Sequence, residues 1–203
     1  MAATDLRVGG IASMSSCDWP GELVATFFCQ GCSWDCPYCH NQSLRPATGK
    51  AETQIPWDDL VAFLKQRGRL LDGVVFSGGE PTLQSALPDA MRGVRDLGFK
   101  IGLHTAGVKP ERLIPLLPLV DWIGFDIKGP FSLYDKITRI PNSAENVKKS
   151  LQHLLESGVS HQIRTTVYPP LLDEAALLEM KADLAAFGIT DYTLQPYQER
   201  PLV

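Results

Sequence analysis

The chain has 203 residues, 44% of them hydrophobic and 21% charged, with a formal net charge of −4. That length and balance suit a single domain, residues 1–203 with its core over about 17–197, and they provide enough apolar material for a large core. They exclude two partners: no Lys/Arg run or stripe offers a nucleic-acid footprint, and no apolar stretch approaches the ~18 residues of a membrane span.

The opening Met1-Ala-Ala-Thr-Asp-Leu-Arg7 lacks the charged-then-apolar order of a signal peptide, so a cytoplasmic location is expected. The first strand is Leu23-Val-Ala-Thr-Phe-Phe28, rich in β-branched and aromatic residues. A cysteine-rich loop follows it, and Gln42–Gln54 is polar enough to be an exposed loop. Trp57, Leu60, Val61 and Leu64 recur at helical spacing, predicting a helix over Trp57–Arg67 that Gly68 stops. Strand two, Gly73–Phe76, runs into Ser77-Gly-Gly-Glu-Pro81, and a helix over about Ser85–Leu97 buries Leu87, Met91 and Val94. Strand three, Lys100–His104, leads into Thr105-Ala-Gly107, and prolines limit a short helix near Glu111–Leu117. Strand four is Trp122–Ile127, Pro130–Pro141 is a long connection, and a helix covers about Ala144–Ser157. Strand five, Gln162–Val167, stops at Pro169-Pro170, the last helix spans about Glu174–Phe187, and strand six is Tyr192–Gln195.

Six strands separated by helical segments imply parallel β/α units. No G-x-G-x-x-G follows the first strand, so a dinucleotide fold has no support. Residues unsuited to a core instead gather at the C-terminal ends of strands: the cysteine loop, Ser77–Glu80, His104–Gly107, Asp126 with Lys128, Arg164–Thr166, and Gln195. A β/α barrel places its active site on that face. The expected fold is therefore α/β, a partial (β/α)6 barrel in one domain with a parallel sheet. Six units rather than eight leave it splayed, and an open side suits a large substrate such as another protein.

Of five cysteines, four fall within Cys29–Cys39, a poor disulfide framework and a good metal or redox site. Cys32, Cys36 and Cys39 have C-x3-C-x2-C spacing. Soft thiolates at this density hold zinc or an iron–sulfur cluster. Three ligands would leave one iron of a cubane open to a reactant. The bland alternative is a four-thiol zinc site that recruits Cys29, although four ligands within eleven residues are compact for one. Gly78 and Gly79 let backbone approach a ligand, and Glu80 offers a carboxylate to an amine; alternatively the segment is only a tight connection. Asp126 and Lys128 lie two apart on one strand face, as do Arg164 and Thr166. They form ion pairs, hold a polar ligand, or do both. His104 is more ordinarily a hydrogen-bonded packing residue. Cys17 has no nearby thiol and suits a buried or free role.

The segment Asp18-Trp-Pro-Gly21 … Phe28-Cys-Gln-Gly-Cys32-Ser-Trp-Asp-Cys36-Pro-Tyr-Cys-His-Asn41, with Gly-Gly-Glu after the second strand, resembles the radical S-adenosylmethionine (SAM) superfamily. Within it the chain is similar to glycyl-radical-enzyme activating proteins, above all the activator of anaerobic ribonucleoside-triphosphate reductase. The resemblance implies that Cys32, Cys36 and Cys39 bind a [4Fe–4S] cluster whose free iron chelates the amine and carboxylate of SAM. It implies that Tyr38 lies against the adenine through its backbone and that His40 shields the cluster or touches its ligand. Gly78, Gly79 and Glu80 would meet the methionine amine. Thr105 joins the cofactor contacts, Asp126 and Lys128 reach the ribose and carboxylate region, and Arg164 neutralises the carboxylate. The implied partners are a glycyl radical enzyme and a flavodoxin- or ferredoxin-type electron donor. Small-molecule radical SAM enzymes such as 7-carboxy-7-deazaguanine synthase have a comparable size. Those activators often carry Asp-Thr-Asn-Gly after strand three. Here the segment is His104-Thr-Ala-Gly107, which removes the aspartate a cation site would use.

Overall fold

The computed structural model describes residues 2–47, 54–68 and 70–198. Seven strands form one sheet in strict chain order. They are β1 (Val8–Ser15), β2 (Val24–Cys29), β3 (Gly73–Gly78), β4 (Lys100–Thr105), β5 (Trp122–Asp126), β6 (Ser160–Val167) and β7 (Thr193–Pro196). From β2 to β7 every pairing is parallel. Each crossover therefore steps to the next strand in the same direction, and right-handed crossovers curl the sheet into an open barrel with β1 and β7 at its edges.

The six parallel strands are those predicted, but β1 is not. Val8-Gly-Gly-Ile-Ala-Ser-Met-Ser15 lacks apolar alternation, and its glycines and serines have weak strand propensity. It forms because β2 offers an unpaired edge. It runs antiparallel along β2, from Val8 opposite Cys29 to Ser15 opposite Val24, with irregularities that its glycines tolerate.

The helices are α1 (Trp57–Arg67), α2 (Leu87–Asp96), α3 (Pro110–Leu113), α4 (Tyr134–Thr138), α5 (Ser143–Ser157) and α6 (Glu174–Ala186). The helix expected near Glu111–Leu117 divides into α3 and a 3₁₀ segment, Ile114–Leu119, whose tighter winding accommodates Pro115 and Pro118. The long connection Pro130–Pro141 is not irregular: it holds α4, and Asp135 accepts hydrogen bonds from the Asn142 and Ser143 amides at the start of α5. Of the polar stretch after the cysteines, Gln42–Leu44 is a 3₁₀ turn, and residues 48–53 lie outside the described residues.

Strand alternation separates two cores. Ala25, Phe27, Val74, Phe76, Ile101, Leu103, Ile123 and Phe125 belong to the main core, together with helix residues such as Leu60, Met91 and Leu151. Trp19, Val24, Val75 and Trp122 form a separate cluster from the other strand faces. Trp19 stacks on Trp122 with ring centroids 5.5 Å apart. Two glycines make room inside: a Cβ on Gly102 would lie 2.8 Å from the Trp19 ring, and one on Gly124 would lie 2.8 Å from the Arg164 guanidinium carbon. The segment before β2 thus fills the barrel lumen, and the polar residues are left at the mouth.

Candidate active site

Parallel register brings the C-terminal ends of β2 to β6 together. Cys29 pairs with Gly78, Thr105 with Phe125, and Asp126 with Arg164. The cysteine loop leaves β2 at this mouth and is pinned on several sides. The amide of Gly31 donates to Leu44 O at 2.6 Å, that of Cys32 to Arg45 O at 2.9 Å, and that of Asp35 to Thr138 O at 3.0 Å. Asp35 pairs with Arg45 and, at 3.0 Å, with Arg139. Trp34 meets Tyr134 edge-on at 6.1 Å. The connection containing α4 thus holds the loop from outside.

Cys32, Cys36 and Cys39 are free and partly buried, and they lie near enough that Cys36 and Cys39 raise the Cys32 thiol pKa and Cys39 raises that of Cys36. Burial pushes Cys32 up to about 12 and Cys36 also up. A bound cationic metal reverses that preference, because the coordinating thiol ionises outright. Cys29 stands apart: it is fully buried in the main core with Ala25 and Phe27.

Tyr38 anchors the loop's far end. Its ring is 4% exposed, packs with Ile137, Leu172 and Ala176, and stacks on Tyr168 at 5.2 Å. Its hydroxyl donates to Lys128 O at 3.2 Å. His40 stacks on Tyr197 at 5.1 Å, and its Nε2 is buried without a hydrogen-bond partner. Tyr168 and Tyr197 escape sequence reasoning because aromatic residues beyond a strand end carry no positional signal.

The glycine pair approaches the protein's own backbone. Side chains at Gly78 and Gly79 would collide with the backbone of Cys29 and Gly31. That contact lets Gly79 N donate to Cys29 O at 2.9 Å and Glu80 N to Gly31 O at 2.8 Å. The Glu80 carboxylate is buried and accepts from Thr82, Thr105 and Ala106. Desolvation raises its pKa, against the pull of those donors. Thr105 is thereby fixed at the mouth, and its Oγ1 also accepts from Gly107 N at 3.0 Å. Asn41, named only as part of a motif, donates through Nδ2 to Gly78 O at 2.9 Å.

Across the mouth, Arg164 grips Asp126 through Nε at 3.0 Å and Nη2 at 2.9 Å, and Lys128 Nζ lies 3.8 Å from the same carboxylate. Burial opposes the Asp126 charge, but Arg164 and then Lys128 outweigh it and lower the pKa. Burial likewise opposes the Lys128 charge, and Asp126 more than compensates. The trio carries one net positive charge, suited to an anionic group. Below it, His104 Nε2 lies 2.7 Å from Asp18 O and 3.1 Å from Arg164 Nη1, and Nδ1 lies 3.1 Å from Ser77 Oγ. With its ring nitrogens engaged inside the protein, His104 is a packing residue beneath the mouth.

The donor set fits an iron–sulfur cluster. Zinc draws four ligands to about 2.3 Å from one point. Three partly buried thiols in one loop fall short of those four ligands and match the three protein-held corners of a cubane, whose ligands sit on separate irons.

A model of the radical SAM superfamily matches residues 26–180. A provisionally named glycyl-radical enzyme activating enzyme of Methanocaldococcus jannaschii is 30% identical over 82% of this chain and 70% of its own length. The 7-carboxy-7-deazaguanine synthase of Methanopyrus kandleri is 29% identical over 54% of this chain and 51% of its own length. Among solved structures, anSMEcpe with bound AdoMet superposes with a TM-score of 0.63 at 17% identity, over 83% of this chain and half of the other. At that identity the likeness concerns the fold alone. The three-thiol loop, the strand-end mouth and the family match agree, and the chain belongs to the radical SAM superfamily.

Proposed function

We propose that this radical SAM enzyme activates a glycyl radical enzyme, with anaerobic ribonucleoside-triphosphate reductase as its protein substrate. The observation that carries the reading is the similarity to the Methanocaldococcus jannaschii protein across most of both chains. The Gly31-Cys32 opening and Tyr38-Cys-His-Asn41 ending of the cysteine loop support it.

Radical SAM enzymes use a [4Fe–4S] cluster and SAM. Here these would supply one-electron cleavage of the sulfonium S–C5′ bond and a 5′-deoxyadenosyl radical that removes hydrogen from a glycine Cα. The chain's part is positioning and exclusion of water. Cys32, Cys36 and Cys39 hold the cluster, and Tyr38 anchors the loop by its ring and leaves its backbone for the adenine. Gly78, Gly79 and Glu80 would serve the amine's side of the site, with Thr105, which bonds Glu80, and His40, which stacks on Tyr197, as further cofactor contacts. Asp126 and Lys128 meet the ribose and carboxylate region, and Arg164 neutralises negative charge. The lumen is filled by Trp19, so the reacting glycine enters from the mouth and the open side. A flavodoxin- or ferredoxin-type protein is the proposed donor of the electron.

The test is anaerobic incubation with SAM, reductant and the candidate reductase, followed by electron paramagnetic resonance (EPR). A glycyl doublet on the reductase is expected. SAM cleavage without a doublet, accompanied by turnover of a pterin, would favour the second reading. That reading, a small-molecule radical SAM enzyme, has the deazaguanine synthase similarity behind it.

A further inference from the structure

The mouth holds a polar atom whose partner is missing. Asn41 follows Cys39 by two residues, and its Nδ2 donates to Gly78 O at 2.9 Å. That bond fixes the amide's orientation, because a turned carboxamide would set oxygen against oxygen. Its Oδ1 is then buried without any donor. Buried acceptors are rarely left so, and each exception calls for an explanation.

Nearby backbone acceptors are already engaged. Cys29 O receives Gly79 N, Gly31 O receives Glu80 N, Leu44 O receives Gly31 N, and Arg45 O receives Cys32 N. Glu80, the acid that the sequence assigns to a ligand amine, is also heavily engaged within the protein. Its Oε1 accepts from Thr82 N at 3.2 Å, Thr82 Oγ1 at 2.6 Å and Thr105 Oγ1 at 2.7 Å, and its Oε2 from Ala106 N at 3.0 Å. An ionised carboxylate has about two lone-pair sites on each oxygen, so Oε1 is saturated and Oε2 is held by the Ala106 amide. The carboxylate joins the ends of β3 and β4, with 1% of the residue exposed.

We infer that Asn41 Oδ1 accepts an N–H of the SAM amine, and that Glu80 is a positioning residue that fixes the Gly78–Gly79 backbone and Thr105. The inference rests on the SAM site proposed above. SAM carries donors on its amine, ribose and adenine. The amine is the one held at the open iron, and Asn41 Oδ1 is an unpaired atom two residues from a cluster cysteine that can only accept, whereas the unpaired His40 Nε2 can carry a proton itself.

The experiment uses reconstituted, reduced holoenzyme and follows the change in the cluster's EPR spectrum on titration with SAM or with its analogue lacking the α-amine. Wild type should bind the analogue well over tenfold more weakly, because the analogue forfeits the iron ligand as well as a hydrogen bond worth about tenfold. In Asn41→Ala, SAM should weaken by about tenfold and the amine preference should shrink by that factor, leaving the part due to the iron. Asn41→Asp keeps an acceptor and should keep the preference, although an oxygen now faces Gly78 O and its apoprotein should melt lower. Glu80→Gln should keep it too, while its apoprotein melts at lower temperature because the new amide NH₂ faces donors. Melting of Asn41→Ala apoprotein checks that it folds. A preference undiminished in Asn41→Ala, or diminished as much in Glu80→Gln, overturns the inference. A wild-type spectrum indifferent to SAM overturns the site reading itself.

Discussion

Replacing Trp19 by alanine tests whether the segment before β2 truly fills the barrel. Trp19 is 6% exposed, stacks on Trp122 at 5.5 Å and lies over Gly102. Truncating a buried Trp costs about 3–5 kcal/mol, from lost transfer free energy plus the cavity left behind. The ring pair itself supplies about 0.5–1.5 kcal/mol beyond its area. For a chain of this size each kcal/mol moves the melting point by about 2–4 °C, so apoprotein Trp19→Ala should melt about 6–20 °C lower. Urea unfolding followed by circular dichroism gives the free energy directly. A companion variant sharpens the test. In Gly102→Ala the new Cβ would lie 2.8 Å from the Trp19 ring and 2.9 Å from Val75, an overpacking worth about 1–3 kcal/mol. In the Trp19→Ala background most of that cost should disappear, giving a coupling of about 0.5–3 kcal/mol. A loss below about 1 kcal/mol for Trp19→Ala, or strict additivity of the pair, would refute the packing described for the lumen.

The remaining predictions concern the mouth and the groups beneath it. Cys32→Ala, Cys36→Ala and Cys39→Ala should each abolish iron and sulfide incorporation on anaerobic reconstitution, whereas Cys29→Ala should retain both and lose only about 1 kcal/mol of packing. Iron loss in Cys29→Ala would revive a four-thiol site. Asp126→Asn leaves Arg164 and Lys128 facing each other. Fully buried pairs cost 3–5 kcal/mol to break, and partial solvent access at Asp126 reduces this to about 2 kcal/mol; unchanged urea stability would count against the ion-pair reading. Burial first, and the Arg164 charge second, hold the His104 imidazole below its usual range. Its contribution is complete above the unfolded value near ~6.5 and is lost as pH falls toward the folded value, because the unfolded chain then binds the extra proton. Stability of the apoprotein should therefore drop by up to ~1.4 kcal/mol per pH unit below ~6.5. His104→Gln should flatten that slope, and an identical slope in the variant would show that another group is responsible.

Several features were open to inspection in the residues. The six parallel strands were legible because β-branched and aromatic runs such as Val74-Val-Phe76 have few other uses. The three thiols proposed to hold the cluster stand out in the sequence because metal chemistry favours a residue type and spacing that local chain order displays directly. Opposite charges at the ends of β5 and β6 also pointed to the mouth, and register makes Asp126 and Arg164 direct neighbours. Strand β1 was not legible, since its propensity is weak and the edge of β2 supplies its reason to form.

The roles of individual polar groups depended on the fold. Glu80 looked free for a ligand, yet Thr82, Thr105 and Ala106 occupy its oxygens. Two of those donors come from β4 and the loop after it, some twenty-five residues away along the chain. Gly78 and Gly79 signalled close approach, but the approaching partner is the cysteine loop's own backbone. Sequence by itself determined the family and the parallel architecture, because those rest on local patterns. Which polar atoms are spent within the protein and which remain for a cofactor was decided only by tertiary structure, because a hydrogen bond is settled by distance and direction between segments that the chain order does not bring together.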